Sequence, residues 1–220
     1  MEMKKLENIT YYSGTRLDLL ELIPSEKRNG VLLEIGAASG NTLVYAKSND
    51  YAKEVYGIEL CLIDDSNQRN KDIKQFVIGD IENIEFPFFD VKFDVIIIGD
   101  VLEHLIDPEK VLKNLSKNLA HEGIIIASIP NIRHYSVLKS LILDARFTYQ
   151  DSGILDKTHL RFFCKINMIE LFQSANYKIL VIKSGIENDR KKIRFFNKLT
   201  FGYFEDFLTV QYYIRATNEN

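Results

Sequence analysis

The sequence contains only two cysteines, Cys61 and Cys164, with no CxxC or other metal-ligand spacing. A disulfide framework and a cysteine-held metal are therefore not expected, and both residues read as reduced thiols of a cytoplasmic protein. There is no basic excess either. The formal net charge is −3, whereas a dedicated nucleic-acid binder carries a surplus of lysine and arginine. No apolar run follows the lysines of Met1 to Asn8, so no secretory signal is expected. The longest apolar runs, such as Val95 to Ile98, are far too short to span a bilayer, so no integral membrane segment is expected. Internal repeats and low-complexity linkers are missing as well. What remains is an ordinary globular composition, 46% hydrophobic and 27% charged over 220 residues. That suffices for one domain with a sizeable core.

The chain alternates short β-branched runs with helical patterns, the signature of a parallel sheet covered on both faces. Strands are predicted at Val31 to Ile35, Val55 to Glu59, Gln75 to Gly79, Phe93 to Gly99 and Ile124 to Ser128, the last opened by Gly123 and ended by Pro130. Two more follow at Tyr177 to Lys183 and Thr209 to Ala216. Helices are predicted from Gly40 to Ser48, over a polar stretch from Leu62 to Asn70, after Asp107 with Pro108 in the first turn, and from Asn167 to Asn176. Tyr11 to Leu22 reads as an amphipathic helix. The fold class is α/β: a Rossmann-like doubly wound sheet, mostly parallel with an antiparallel last strand. Residues 1–220 form a single domain, with an N-terminal helical cap over about 8–24 and a lid over about 131–165.

Leu33-Glu34-Ile35-Gly36-Ala37-Ala38-Ser39-Gly40 ends the first strand and opens a helix. In an open parallel sheet, ligands bind beyond the carboxyl ends of the strands, where strand order reverses. Gly36 permits a sharp turn there, and Gly40 permits close backbone approach. Strand two ends in Glu59, an acid placed to bond a ribose diol. The dinucleotide fingerprint GxGxxG is absent, because Ala38 and Asn41 stand at its second and third glycines. No GK[ST] follows, so this is not a Walker loop, and Ala37 before Ser39 rules out a nucleophile elbow.

The acid-x-Gly-x-x-x-Gly pattern resembles the first motif of class I S-adenosylmethionine-dependent methyltransferases. Tyr56-Gly57-Ile58-Glu59, Gly79-Asp80-Ile81 and Phe93 to Leu105 resemble the later motifs, in order. The family's frequent Gly-Cys-Gly is replaced here by Gly36-Ala37-Ala38. The resemblance implies cofactor contacts from Glu34, Gly36, Ala37, Gly40, Glu59, Leu60, Asp80, Ile81 and Asp100. Glu59 would hold the ribose hydroxyls, and Asp80 and Ile81 the adenine. The cofactor would be S-adenosylmethionine, leaving S-adenosylhomocysteine. The segments Ser128 to His134 and Gly153 to Phe163 resemble a subgroup acting on cell-surface sugars and other small molecules, and Leu102-Glu103-His104 is similar to the quinone-biosynthesis O-methyltransferases.

Methyl transfer needs alignment, water exclusion and, for a hydroxyl acceptor, a base. Histidine suits that role near neutral pH, and four are present. His159 is the first candidate and His104 the second; each is alternatively a brace for its loop. Arg161 could hold an anionic substrate group, or could serve that same brace. Tyr12, Arg16 and His134 are further substrate-side candidates, with Tyr12 and Arg16 also readable as parts of a packed helix. No metal is expected. The basic run Arg190 to Arg194, with Phe195, Phe196, Phe201, Phe204 and Phe207, suits either a membrane-surface or partner stretch or simple packing, including a homodimer contact; packing is favoured.

The function expected is methyl transfer to a hydroxyl or amine of a small molecule, a sugar or lipid-linked intermediate among them. The alternatives are an NAD-dependent epimerase or dehydrogenase, disfavoured by the missing GxGxxG and Tyr-x-x-x-Lys, and a non-catalytic scaffold of the same fold. Nucleic-acid methylation is disfavoured by the charge and by Asp100-Val101-Leu102-Glu103 where an Asn-Pro-Pro-Tyr segment would stand.

Overall fold

Strict alternation of large apolar side chains sets up two cores, one on each face of a single sheet. A computed structural model describes residues 14–188 and 191–219, without the side chains of 187 and 188. In the strands β1 (Gly30–Ile35), β2 (Ala52–Glu59), β3 (Gln75–Ile78), β4 (Phe93–Gly99) and β5 (Leu119–Pro130), neighbours in sequence point to opposite faces. Leu33, Ile35, Ile96, Ile98 and Ile125 enter one core, while Leu32, Val95, Ile97, Ile124 and Ile126 enter the other. β1, β4 and β5 are therefore buried on both faces, which is why they read as continuous apolar runs.

The first core is covered by α3 (Pro108–Ser116), through Val111, Leu112 and Leu115, and by α5 (Lys165–Ser174), through Met168 and Phe172. The second is covered by α1 (Leu17–Leu20), through Leu19 and Leu20, and by α2 (Asn41–Ser48), through Leu43 and Ala46. The chain is completed by α4 (Tyr135–Leu143), β6 (Tyr177–Ser184), α6 (Lys191–Leu199), α7 (Glu205–Leu208) and β7 (Gln211–Asn218).

The sheet order is β3-β2-β1-β4-β5-β7-β6. The first five strands are parallel to their neighbours, and β7 runs antiparallel between β5 and β6. Strand order therefore reverses between β1 and β4, which places a crevice beyond Ile35 and Gly99.

Several predicted elements shift. The polar helix expected over Leu62 to Asn70 is only a 3₁₀ turn, Asn67–Arg69. That stretch has no apolar face to bury, and Ser66 and Asn70 bond nearby backbone instead of letting a helix run. β5 starts at Leu119 rather than Ile124 and continues through Gly123, where a Cβ would sit 2.9 Å from the Phe93 carbonyl oxygen. The predicted cap of α5 moves to Cys164; Asn167 lies three residues in and its side chain reaches back to the Cys164 N–H. The N-terminal helix is short, Leu17–Leu20, and the residues before 14, Tyr12 among them, lie outside those described. Among the aromatic residues of 195–207, Phe196 stacks on Phe204 and Phe204 meets Phe207. Phe195 and Phe201 are 70% and 99% exposed, so packing among the described residues does not cover them.

Leu112 is fully buried, and its carbonyl accepts the buried Tyr177 hydroxyl at 3.0 Å. Leu112→Ala is expected to cost about 3 kcal/mol in denaturant unfolding, against about 0.5 kcal/mol or less for the exposed Lys110→Ala.

Candidate active site

The turn after β1 is shaped by three residues in the left-handed region, Gly36 at φ 71°, Ala38 at φ 46° and Gly40 at φ 77°. At Gly36 a Cβ would lie 2.4 Å from the Val101 side chain, so the loops after β1 and β4 touch there. The Gly36 and Ala37 amides both donate to the Ile58 carbonyl, at 2.9 and 3.1 Å. Glu59, at the end of β2, accepts from the Ala38 amide on one oxygen and from the Leu60 amide on the other, each at 2.8 Å. The oxygen facing Leu60 also accepts from the Cys61 thiol at 3.9 Å, while the one held by Ala38 keeps a lone pair. Gln68 completes the turn: its amide donates to the Ala38 and Cys61 carbonyls at 2.8 and 3.1 Å and accepts from Ile63 at 3.0 Å. Beyond β3, Asp80 accepts from the Glu82 amide and the Asn83 side chain, which fixes Ile81 beside it.

At the end of β4, Asp100 takes φ 54° and gathers several partners. One oxygen accepts from Arg16 at 2.7 Å; the other accepts from the Ser128 hydroxyl at 3.0 Å and from the Gln211 amide. Arg16 also bonds Asp18 and Ser128. Burial works against its charge, but the bonds from Asp18 and the field of Asp100 hold its pKa above the ordinary arginine value. Glu34 lies beneath, 4% exposed, with one oxygen lacking any partner. Desolvation pushes its pKa up to about 8, only partly opposed by Arg16 and the Thr42 hydroxyl. Glu34 is therefore a buried, protonated acid at neutral pH rather than a charge offered to a ligand.

Past Asp100, the turn Leu102–His104 meets the segment 153–163. The Glu103 carbonyl accepts from the Leu160 and Arg161 amides at 2.9 and 3.0 Å. Arg161 directs its guanidinium to the Leu105 and Ile106 carbonyls, so these donors are committed to bracing the two segments. His104 and His159, far apart in sequence, meet edge to face with centroids 4.7 Å apart. Glu103 lies against them, with His159 Nε2 at 3.9 Å from Glu103 Oε1. Burial raises the Glu103 pKa well above the ordinary carboxylate value, with Asp100 adding to it, and burial lowers that of His159. His134 caps α4, its Nδ1 2.8 Å from the Ser136 hydroxyl, and is buried. A groove of about 630 Å³ lies along α3, lined by Asp107, Glu109, Lys110, Lys113 and Asn176, and includes no residue of the β1 turn.

Residues 9–181 match the family described as a methyltransferase domain. The chain belongs to the methyltransferase domain family. No curated protein matches the sequence. Among solved structures, an S-adenosylmethionine-dependent methyltransferase from Clostridium acetobutylicum is similar at a TM-score of 0.65 and 14% identity, covering 100% of this chain and 98% of the other. The 1,6-didemethyltoxoflavin-N1-methyltransferase of Burkholderia thailandensis, solved with its substrate and S-adenosylhomocysteine, is similar at a TM-score of 0.65 and 14% identity, over 99% of this chain and 84% of that one. The [4+2]-cyclase SpnF shares the fold at a TM-score of 0.61 and 14% identity, over 91% of this chain and 78% of that one. At such identities the likeness concerns the fold. The family match and sheet order together make this a class I S-adenosylmethionine-dependent methyltransferase.

The residues of this methyltransferase fit an adenosyl cofactor. The glycine turn, Glu59 and Asp80 follow β1, β2 and β3, three adjacent parallel strands, and so share one sheet edge. An oriented carboxylate with one oxygen free to accept again, at the end of β2, suits a ribose hydroxyl. Sequence reasoning passed over Gln68, Ser128 and Gln211, which hold the turn and Asp100 in place. Only their buried hydrogen bonds reveal them, since a lone glutamine or serine carries no spacing signal.

Glu34 generates a pH test. Its folded pKa of about 8 lies above its ordinary 4.5, so folding takes up a proton between those values. Its contribution to stability is full below about pH 4.5 and declines as pH rises toward 8. Glu34→Gln in the cofactor-free protein is expected to flatten that decline and to gain about 2–3 kcal/mol at pH 7, measured by denaturant unfolding at several pH values. A parallel decline in both proteins would show Glu34 to be ionised.

Proposed function

We propose that this methyltransferase moves a methyl group from S-adenosylmethionine to a hydroxyl or amine of a small molecule, a sugar or lipid-linked intermediate among them. The observation that carries the cofactor half is the oriented Glu59 carboxylate beside the β1 glycine turn. For the acceptor half, support comes from the titratable cluster of Glu103, His104 and His159 beyond β4 and from the lack of a basic surplus for nucleic acid. No helix among the described residues is long and apolar enough to cross a membrane; together with the two free thiols, this supports a cytoplasmic enzyme.

The bound cofactor supplies an electrophilic methyl on a sulfonium. The chain's own residues do the rest. Glu59 takes the ribose hydroxyls, Asp80 and the Ile81 amide take the adenine, and the turn from Gly36 to Gly40 approaches the methionine portion. The segment 153–163, stitched to Leu102–Ile106 by Arg161 and by the Glu103 carbonyl, excludes water over the crevice. The acceptor's proton leaves through the Glu103–His104–His159 cluster. Tyr12, Arg16 and His134 remain substrate-side candidates, with Arg16 acting through Asp100.

Glu59→Gln puts a donor opposite a backbone N–H and is expected to weaken S-adenosylhomocysteine binding by roughly 10- to 100-fold in calorimetry, with Asp80→Asn weakening it less. Unchanged affinity in both variants would sink the residue mapping. His159→Gln is expected to cut turnover by about 100-fold or more while leaving adenosyl affinity within about threefold; equal losses in both would reduce His159 to a structural brace.

A further inference from the structure

Glu103 is the least exposed of the buried carboxylates described, at 1%, and neither of its oxygens has a hydrogen-bond partner. A buried carboxylate is tolerated only when something compensates it. The side chains around it offer no donor. His104 Nδ1 lies 3.2 Å from the Thr158 carbonyl and His159 Nδ1 3.0 Å from the Ile154 carbonyl. A carbonyl only accepts, so each Nδ1 carries the hydrogen and each Nε2 keeps a bare lone pair. Nδ1–H donated to a main-chain carbonyl is the arrangement that orients metal-ligating histidines. One ligand atom from each of Glu103, His104 and His159 lies within 4.8 Å of the others.

We propose that Glu103, His104 and His159 bind one divalent cation of the zinc class. Two imidazoles with one carboxylate suit zinc, cobalt or manganese better than magnesium or calcium, which prefer all-oxygen sets. Bonds of about 2.1 Å would place tetrahedral donors about 3.4 Å apart, so the cluster has to contract by roughly 1 Å. Asp156 is not a ligand. It accepts from the Thr158 amide and hydroxyl, at 2.8 and 2.6 Å, and so shapes the turn that presents His159.

Three protein ligands leave a coordination position open, as catalytic rather than structural zinc sites do. The loop bearing Glu103 touches the glycine turn through Val101, so the cluster lies beside the same sheet edge. Its use rests on the methyltransferase reading, which it narrows: the acceptor is an oxygen donor that can ligate a cation, a hydroxyl with a neighbouring oxygen, rather than an amine. The sequence did not suggest the site because His159 is remote from the Glu103-His104 pair and no ligand motif has that spacing.

The test uses the full chain, stripped with chelator and dialysed. Zinc is titrated by calorimetry and cobalt by visible absorption, with S-adenosylhomocysteine titrated in parallel. One equivalent of each metal is expected at micromolar or tighter affinity, with cobalt d–d bands of a four- or five-coordinate nitrogen–oxygen site. Glu103→Gln and the less buried His104→Gln are expected to weaken binding at least 10-fold with circular dichroism unchanged, and the exposed His121→Gln to leave it intact. Absence of a stoichiometric site, or affinity untouched by the two cluster variants, would overturn the proposal. Metal binding without adenosyl binding would strike the methyltransferase reading and leave the cation site standing. Adenosyl binding without metal would do the reverse.

Discussion

Asp100 sits where the loops after β1 and β4 meet, held at φ 54° by carboxylate bonds that come from three directions. Arg16 reaches it from the N-terminal segment, Ser128 from β5, Gln211 from β7, and its own chain leaves β4 toward the Leu102–His104 turn. A carboxylate can satisfy this many donors only in one position. The bonds therefore set the direction in which the chain departs from the sheet. That direction puts Val101 against the glycine turn on one side and Glu103 and His104 against the segment 153–163 on the other. Loosening Asp100 would disturb the cofactor edge and the titratable cluster together.

The site also concentrates electrostatic cost in a small volume. Glu34, Glu59 and Glu103 are all buried, and each is handled differently. Glu59 is compensated by two backbone amides, one on each oxygen. Desolvation pushes Glu34 toward its neutral form, and one of its oxygens has no donor. Burial favours the neutral form of Glu103 as well, but neither of its oxygens has a hydrogen-bond partner, which makes it the least compensated carboxylate in the crevice. A fold does not keep such a group for stability, since an apolar residue of similar volume would serve better. Its retention is readable as function.

The cluster is assembled by segments that have little regular structure. Between Asp144 and Cys164 the described chain contains no helix or strand beyond isolated bridges, and its order comes from hydrogen bonds to the β4 loop. Buried Leu155 and Phe163 and the ring contacts among Phe147, Tyr149 and Phe162 add apolar packing to those bonds.

The strands, their parallel order and the glycine turn were legible in the sequence because each depends on local chemistry. Alternating β-branched runs have one period, Gly36 and Gly40 mark a turn that side chains would block, and Glu59 ends a strand whatever its neighbours are. Helix ends were less legible: Asn167 acts from inside α5 rather than before it, and the polar stretch at 62–70 had caps but no face to bury. The partnership of Glu103, His104 and His159 was not legible at all. Each residue stood in a segment already noticed, yet their meeting depends on how the chain after β5 folds back over the end of β4. That is a matter of long-range hydrogen bonds between irregular segments, which leave no periodic trace in the order of residues.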